Sequence, residues 1–163
     1  MAEPKHHTLI KHFEECLLTA YLCPAGKPTI GWGHTGKDVT ILDVKTRRTI
    51  TQDEADSLFV SDVSRFELGV KRMVTNQSLL DQHLGALTSF AYNAGLANLA
   101  SSTLLKLVNK GDLAAASNEF MKWRFATVNG KKVVLNGLIR RRAAEKVLFQ
   151  TGHLNFFCTG LLA

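Results

Sequence analysis

Residues 13–35, FEECLLTAYLCPAGKPTIGWGHT, interrupt an otherwise helical chain. Running into their start, Leu9, Ile10, Phe13, Cys16 and Leu17 recur at helical spacing, which predicts a helix over 5–18. Within them, LTAYLC and TIGWGHT read as short extended runs, and Pro24, Gly26 and Pro28 supply the turn between. Residues 36–50 are polar and rich in Thr and Lys, as expected of further short strands or loop. From Thr51 the helical period returns and persists. One small sheet set among helices predicts an α+β domain with a small sheet lobe and a larger helical lobe.

Local signals punctuate the helical part. Thr51 and Glu54 form a capping box for a long helix to about Met73. LLDQHLGALTSFAYNAG stops at Gly95, and STLLKLVNKG, capped by Ser101 or Ser102, stops at Gly111. Asp112 caps DLAAASNEFMKWRF, VNGKK is a tight turn, and Asn136 or Gly137 starts NGLIRRRAAEKVLF. The expected organisation is a single domain over 1–163. It comprises a sheet lobe at about 15–60, a linking helix at about 51–73, and a helical lobe at about 74–163 that includes the N-terminal helix. The groove between two such lobes is a natural ligand site.

A chain of 163 residues with 45% apolar content can build one real core. Its 20 Lys and Arg against 14 Asp and Glu give a net charge of +6, which suits an anionic partner: nucleic acid, anionic lipid or an acidic wall polymer. Charge alone does not choose among them. The start, MAEPKHHTLIKHFEE, lacks the apolar core of roughly 7–15 residues that a signal peptide needs. No apolar run approaches the roughly 20 residues of a membrane span. Synthesis in a cytoplasm, without an export signal, is therefore expected. Cys16, Cys23 and Cys158 are odd in number, so free thiols are expected.

Helical phase separates the two adjacent glutamates. The apolar face of the predicted helix is centred between Phe13 and Leu17, so Glu15 points into water and Glu14 sits at the core margin. A partly desolvated carboxyl is what a proton donor near neutral pH requires. A boundary glutamate by itself is more often structural, so the partner groups decide. In TIGWGHT, alternation places Thr29, Gly31 and Gly33 on one face and Ile30, Trp32 and His34 on the other. The first face offers a hydroxyl and nearly bare backbone, suited either to a flat polar ligand or to close backbone packing. His34 is open to three readings, as metal ligand, base or hydrogen-bonding strut, and the last is expected. There is no HExxH, and His6, His7 and His12 lie in a frayed start with no second ligand group nearby in sequence, so neither metal nor cofactor is expected. Cys23 is either a small half-buried residue or, if its pKa is lowered, a nucleophile. Lys27 is the only close cation in sequence.

These residues resemble the signature of the phage-type lysozymes, glycoside hydrolase family 24, especially the endolysins of lambdoid phages. Glu14, Cys23 and Thr29 match its spacing of Glu, then Asp or Cys, then Thr, with Ile30-Gly31-Trp32-Gly33-His34 behind. The likeness continues in order through SFAYNAG (89–95), STLLKLVNKGD (102–112), AAASNEFMKW (114–123) and GLIRRRAAEKVLF (137–149). It implies a lysozyme-like fold with the active-site cleft between the lobes. It also implies hydrolysis of the β-1,4 bond between N-acetylmuramic acid and N-acetylglucosamine in bacterial peptidoglycan, lysing the host cell. By position, Glu14 is the general acid, Cys23 stands where many members have Asp, and Thr29 helps hold the attacking water. Tyr92 and Asn93 touch sugar, and His34, Gly31 and Gly33 are structural beside the site. Two departures stand out: Glu15 where Gly is usual, and the thiol at 23.

The resemblance also implies peptidoglycan as partner, a monomer, no nucleic acid, and a basic surface able to meet an anionic outer membrane or lipid. Residence in the host cytoplasm until a holin releases the protein is expected. Two other readings compete. One is a Cys–His peptidase or amidase acting on wall peptides through Cys23 and His34, which their opposite facing and the lack of a third orienting residue disfavour. The other is a non-catalytic basic protein that disrupts walls or membranes. The apolar tail 153–163 reads as a closing segment packed on the helical lobe. Its alternative is a membrane-active end working with Arg140, Arg141 and Arg142.

Overall fold

A computed structural model of the chain describes residues 3–156. Residues 157–163, which carry Cys158 and most of the apolar tail, lie outside the described residues, and so do the expectations placed on them. The chain divides into two compact units: Glu14–Arg65 is one, and the rest of the described chain is the other. The architecture is α+β, as the alternation of periods predicts.

Helix α1 spans Lys5–Phe13, ending short of the predicted Leu18, and strand β1 spans Leu17–Leu22. The apolar period continued to Leu17 because two cores share one stretch of sequence. Leu9 and Phe13 pack in the core of the helical unit, whereas Cys16 and Leu18 pack against that of the sheet unit. Sequence spacing does not distinguish which core a residue serves. His6 and His7 are ordered within α1 and do not form a frayed start.

In the sheet unit, β1 pairs antiparallel with β2 (Pro28–Gly31), setting Tyr21 opposite Thr29 and Leu22 opposite Pro28. The strand expected across TIGWGHT stops at Gly31. Gly31 and Gly33 take φ of 63° and 88°, and Ile30 and His34 exchange backbone hydrogen bonds at 3.1 and 2.9 Å around the intervening turn. Left-handed backbone at two glycines turns the chain where alternation predicted extension. A short helix α2 (Ile41–Lys45), capped by Thr40 and Asp43, occupies the segment expected to be strand or loop, and one bridge pairs Thr19 with Thr49. Helix α3 (Gln52–Met73) starts at the predicted box: Thr51 N donates to Glu54 Oε2 at 2.7 Å, and Glu54 N donates to Thr51 Oγ1 at 3.2 Å. Ala20, Ile30, Val39, Ile50 and Ala55 form a small core.

In the helical unit, α4 (Asp81–Ala94) is followed by α5 (Leu96–Ser101), α6 (Thr103–Lys110) and α7 (Leu113–Glu119). Gly95 and Gly111, at φ of 93° and 83°, end α4 and α6 as predicted, and Ser102 caps α6 by accepting from Leu105 N. Helix α7 stops before its expected end. A 3-10 turn at Phe120–Lys122 and the hairpin of β3 (Phe125–Val128) with β4 (Lys131–Val134) follow it. Asn129 and Gly130, both at positive φ, make the predicted tight turn. Helix α8 (Asn136–Thr151) closes the unit, and Leu9, Leu87, Phe90, Leu99, Leu104, Phe120 and Leu148 fill its core.

The arginines of α8 differ from expectation. Arg141 and Arg142 are buried, at 3% and 1% exposure, around a buried Glu145, so they are not a lipid-facing patch. A bare guanidinium is costly to bury, and the nearby carboxylate is what permits it. At the start of the tail, Leu154 and Phe156 pack against the helical core. Among the described residues no helix is long and apolar enough to cross a membrane.

Candidate active site

The sheet unit gathers Glu14, Cys23, Thr29, Gly31, Gly33 and His34; Tyr92 and Asn93 belong to the helical unit. Glu14 is half-buried and Glu15 is exposed, as expected, but for a different reason. Both follow the last residue of α1, where the chain turns toward β1, so helical phase does not separate them. A Cβ added to Gly33 would lie 3.8 Å from Glu14 Oε2, so the turn presents bare backbone beside the carboxyl. Gly31 has a different task. A Cβ there would press to 3.3 Å on Ala55 Cβ, which makes this glycine a packing requirement.

Cys23 opens the β1–β2 turn. Its N–H donates to Lys27 O at 3.0 Å, and Gly26 N donates to Cys23 O at 2.8 Å. Burial pushes the Cys23 thiol up. The backbone amides of Lys27 and Ala25, the Thr29 side chain and the Lys27 ammonium outweigh burial and hold the thiol below its ordinary value. Sequence offered Lys27 alone; folding adds the backbone donors. Thr29 is 2% exposed, and its hydroxyl lies 2.9 Å from Lys27 O and beside the Cys23 sulfur, so its single proton serves either the carbonyl or the sulfur, not both.

Tyr21 was not singled out from the sequence. It faces Thr29 across the strands. Burial raises its phenol, and Glu14, Cys23 and Glu15 raise it further, so the hydroxyl lies in the field of both candidate groups and remains a neutral donor. The available signal was its place two residues before Cys23 in sequence.

His34 links two carboxylates, with Nδ1 at 2.7 Å from Asp62 Oδ2 and Nε2 at 3.1 Å from Asp38 Oδ1. Burial pulls the ring down, but the two aspartates outweigh it and hold His34 above the ordinary histidine value. With both nitrogens on carboxylates, the geometry offers no base for a Cys23–His34 dyad. Trp32 is pinned by Nε1 donating to Asp56 Oδ1 at 2.8 Å.

In the helical unit, Tyr92 is half-buried against Phe66, with ring centroids 5.1 Å apart. Asn93 is exposed, and its Oδ1 accepts from Arg142 Nη2 at 2.9 Å. Arg142 Nη2 also donates to Glu145 Oε1 at 3.1 Å, which accepts from Ser89 Oγ at 2.8 Å. The buried cluster thus orients the Asn93 amide, turning its NH2 away from the tie. Sequence reasoning missed this support. The signals were the three-residue step from Arg142 to Glu145 and Ser89 one turn before Asn93.

Residues 11–145 match the phage lysozyme family. The chain is 41% identical over 143 residues to an endolysin of Acyrthosiphon pisum secondary endosymbiont phage 1, covering 88% of this chain and 93% of that protein. An endolysin of Bacillus phage B103 is 42% identical over 146 residues, covering 88% of this chain and 52% of that protein, so the chain spans about half the length of that relative. Among solved structures, the muramidase domain of SpmX from Asticaccaulis excentricus shares 33% identity at a TM-score of 0.81, over 93% of this chain and 98% of that one. The match takes in both units, from Glu14 and its hairpin to the α8 residues that hold Asn93, and the chain belongs to the phage lysozyme family of glycoside hydrolases.

Proposed function

We propose that the chain is an endolysin muramidase. It hydrolyses the β-1,4 bond between N-acetylmuramic acid and N-acetylglucosamine, with Glu14 as general acid and Cys23, assisted by Thr29, as the group that directs water. Glu14 gives its proton to the leaving glycosidic oxygen as the bond from the anomeric carbon breaks. A water oxygen bonds to that carbon from the opposite face, and the proton it sheds passes to the Cys23 thiolate. Supporting this reading is the hairpin geometry, which sets bare Gly33 backbone beside the Glu14 carboxyl and holds Cys23 at the β1–β2 turn, where backbone amides and Lys27 keep the thiol below its ordinary value. An electron-rich group on that face matches the needs of an oxocarbenium-like transition state. Water as the attacking group gives inversion. Attack by sulfur would instead leave a thioglycoside, which a carboxylic acid activates poorly.

Tyr92 and Asn93 bind sugar, with Asn93 held by Arg142. His34, clamped by Asp62 and Asp38, maintains the turn that carries Gly33. The protein acts as a monomeric single lysozyme domain, and its net charge of +6 favours approach to anionic wall polymer and anionic lipid. It waits in the host cytoplasm until a holin opens the way to the wall.

Muropeptide analysis of digests tests the assignment. Glu14→Gln should lower lysis of purified peptidoglycan by about 10²–10⁴-fold, the range for a positioned proton donor. Cys23→Asp should remain active and Cys23→Ala should lose most activity, with inverted reducing ends released by the wild type. Wild-type activity in Glu14→Gln sinks the acid. A retained anomer or a glycosyl-thioether mass sinks the water mechanism.

A further inference from the structure

Away from the candidate active site, folding brings together three groups that the sequence keeps apart. His6 and His7 lie on the first turn of α1, and Glu67 lies on the last part of α3, 61 and 60 positions away. His6 Nε2 is 2.6 Å and His7 Nε2 is 3.4 Å from the same oxygen, Glu67 Oε1, and the three donor atoms all lie within 4.8 Å of one another. All three side chains are half-buried.

We propose that His6, His7 and Glu67 form a binding site for a divalent transition-metal ion of the zinc class, which staples α1 to the end of α3. Two imidazoles and one carboxylate are a donor set that this class prefers over magnesium or calcium. Zinc bonds of roughly 2.05 Å in a tetrahedron set donor atoms about 3.3 Å apart. The His7–Glu67 separation already has that value, and the His6–Glu67 separation reaches it by a small rotation of the carboxylate. His6 and Glu67 also line a cavity of about 810 Å³, so water can supply the fourth ligand. Asp81, on the first turn of α4, lines the same cavity and adds its negative field at His6. Two cations, Lys5 and Lys71, line the cavity, and Lys5 is tied to Gly152 O at 2.6 Å. The site requires nothing from the sugar chemistry and stands whether or not Glu14 is the acid.

The test is titration of the full chain, stripped with EDTA and kept reduced, with Co²⁺ followed by displacement with Zn²⁺. The expected result is one Co²⁺ per chain, with visible absorption of a low-coordinate nitrogen–oxygen site and no thiolate charge-transfer band. A Tm rise of about 5–11 °C in Zn²⁺ at roughly 100 times Kd should accompany it. Glu67→Gln and His7→Gln should each weaken Co²⁺ binding at least about tenfold and lose about half or more of the Tm rise at the same Zn²⁺ concentration, while their metal-free Tm stays close to that of the wild type. These two positions carry the test because His6 packs tightly on Gly85, so replacing it risks the fold. Wild-type affinity in both variants, a thiolate band, or no saturable binding below about 1 mM overturns the site.

Discussion

The two units of this molecule bury charge on different scales. The sheet unit has a small core of Ala20, Ile30, Val39, Ile50 and Ala55, and its one link of buried charge among the described residues is His34 between buried Asp62 and exposed Asp38. The helical unit has a much larger core and buries a charged cluster in it: Arg141, Arg142 and a Glu145 that is 0% exposed, joined by Ser89. A large apolar surround can exclude water from a carboxylate, but only if every charge within it is met. The sheet unit buries one carboxylate, Asp62, against His34, and relies otherwise on turn chemistry and capping. The helical unit is held by packing, and the sheet unit by local geometry.

The sharpest way to break this contrast is Glu145→Gln. It leaves Arg141 and Arg142 buried without their counter-charge and should cost about 3–5 kcal/mol in urea unfolding. A loss below about 1 kcal/mol would mean that water reaches the cluster, and the distinction between the units would fail.

In the sheet unit the most sensitive position should be a glycine. Gly31→Ala combines a φ of 63° with a 3.3 Å approach to Ala55 Cβ and should cost about 1–3 kcal/mol. Gly130→Ala, at φ 75° with open space around it, pays the backbone conformation alone and should cost about 1 kcal/mol. Equal losses at the two sites would show that packing at Ala55 contributes nothing. Thr51→Ala removes the side-chain half of the α3 cap and should cost about 1 kcal/mol, rescued by Thr51→Ser.

The smallest expected effect separates the units by sign. His34 lies above its ordinary value of 6.5: burial opposes its charge, but Asp62 and Asp38 prevail. Its contribution is complete below pH 6.5 and is lost as pH rises through the folded value. Burial holds His83 below 6.5, and Leu80 N donates to its Nδ1 at 2.9 Å, which requires the neutral ring. Its contribution is lost as pH falls below 6.5. Hydrogen exchange at about pH 5.5 and about pH 7.5 should show the Ile30–His34 amides better protected at the lower pH and the α4 amides better protected at the higher. His34→Gln should abolish the first trend and leave the second.

Much of the framework was legible in the chain. Thr51 with Glu54, Ser102, Asp112, Gly95 and Gly111 act within one turn of themselves, and each starts or stops a helix where its chemistry requires. The spacing of Glu14, Cys23 and Thr29 indicated that they share one region, because a helix end and a single hairpin keep neighbours in sequence close in space. Alternation, however, treated Gly31 and Gly33 as strand, since periodicity carries no information on φ. The end of α1 was misplaced because Leu17 continued the apolar period of one core while belonging to a strand of the other unit.

By itself, the sequence determined the α+β class, the capped helices, the hairpin and the family, because caps, turns and periods are interactions within a few residues. Only the tertiary structure decided which donors surround the Cys23 sulfur, that Arg141 and Arg142 are buried on Glu145, and that Glu67 meets His6 and His7. These depend on groups separated by turns or by most of a domain. Their energies come from desolvation and from donor geometry, which exist only once the chain has packed.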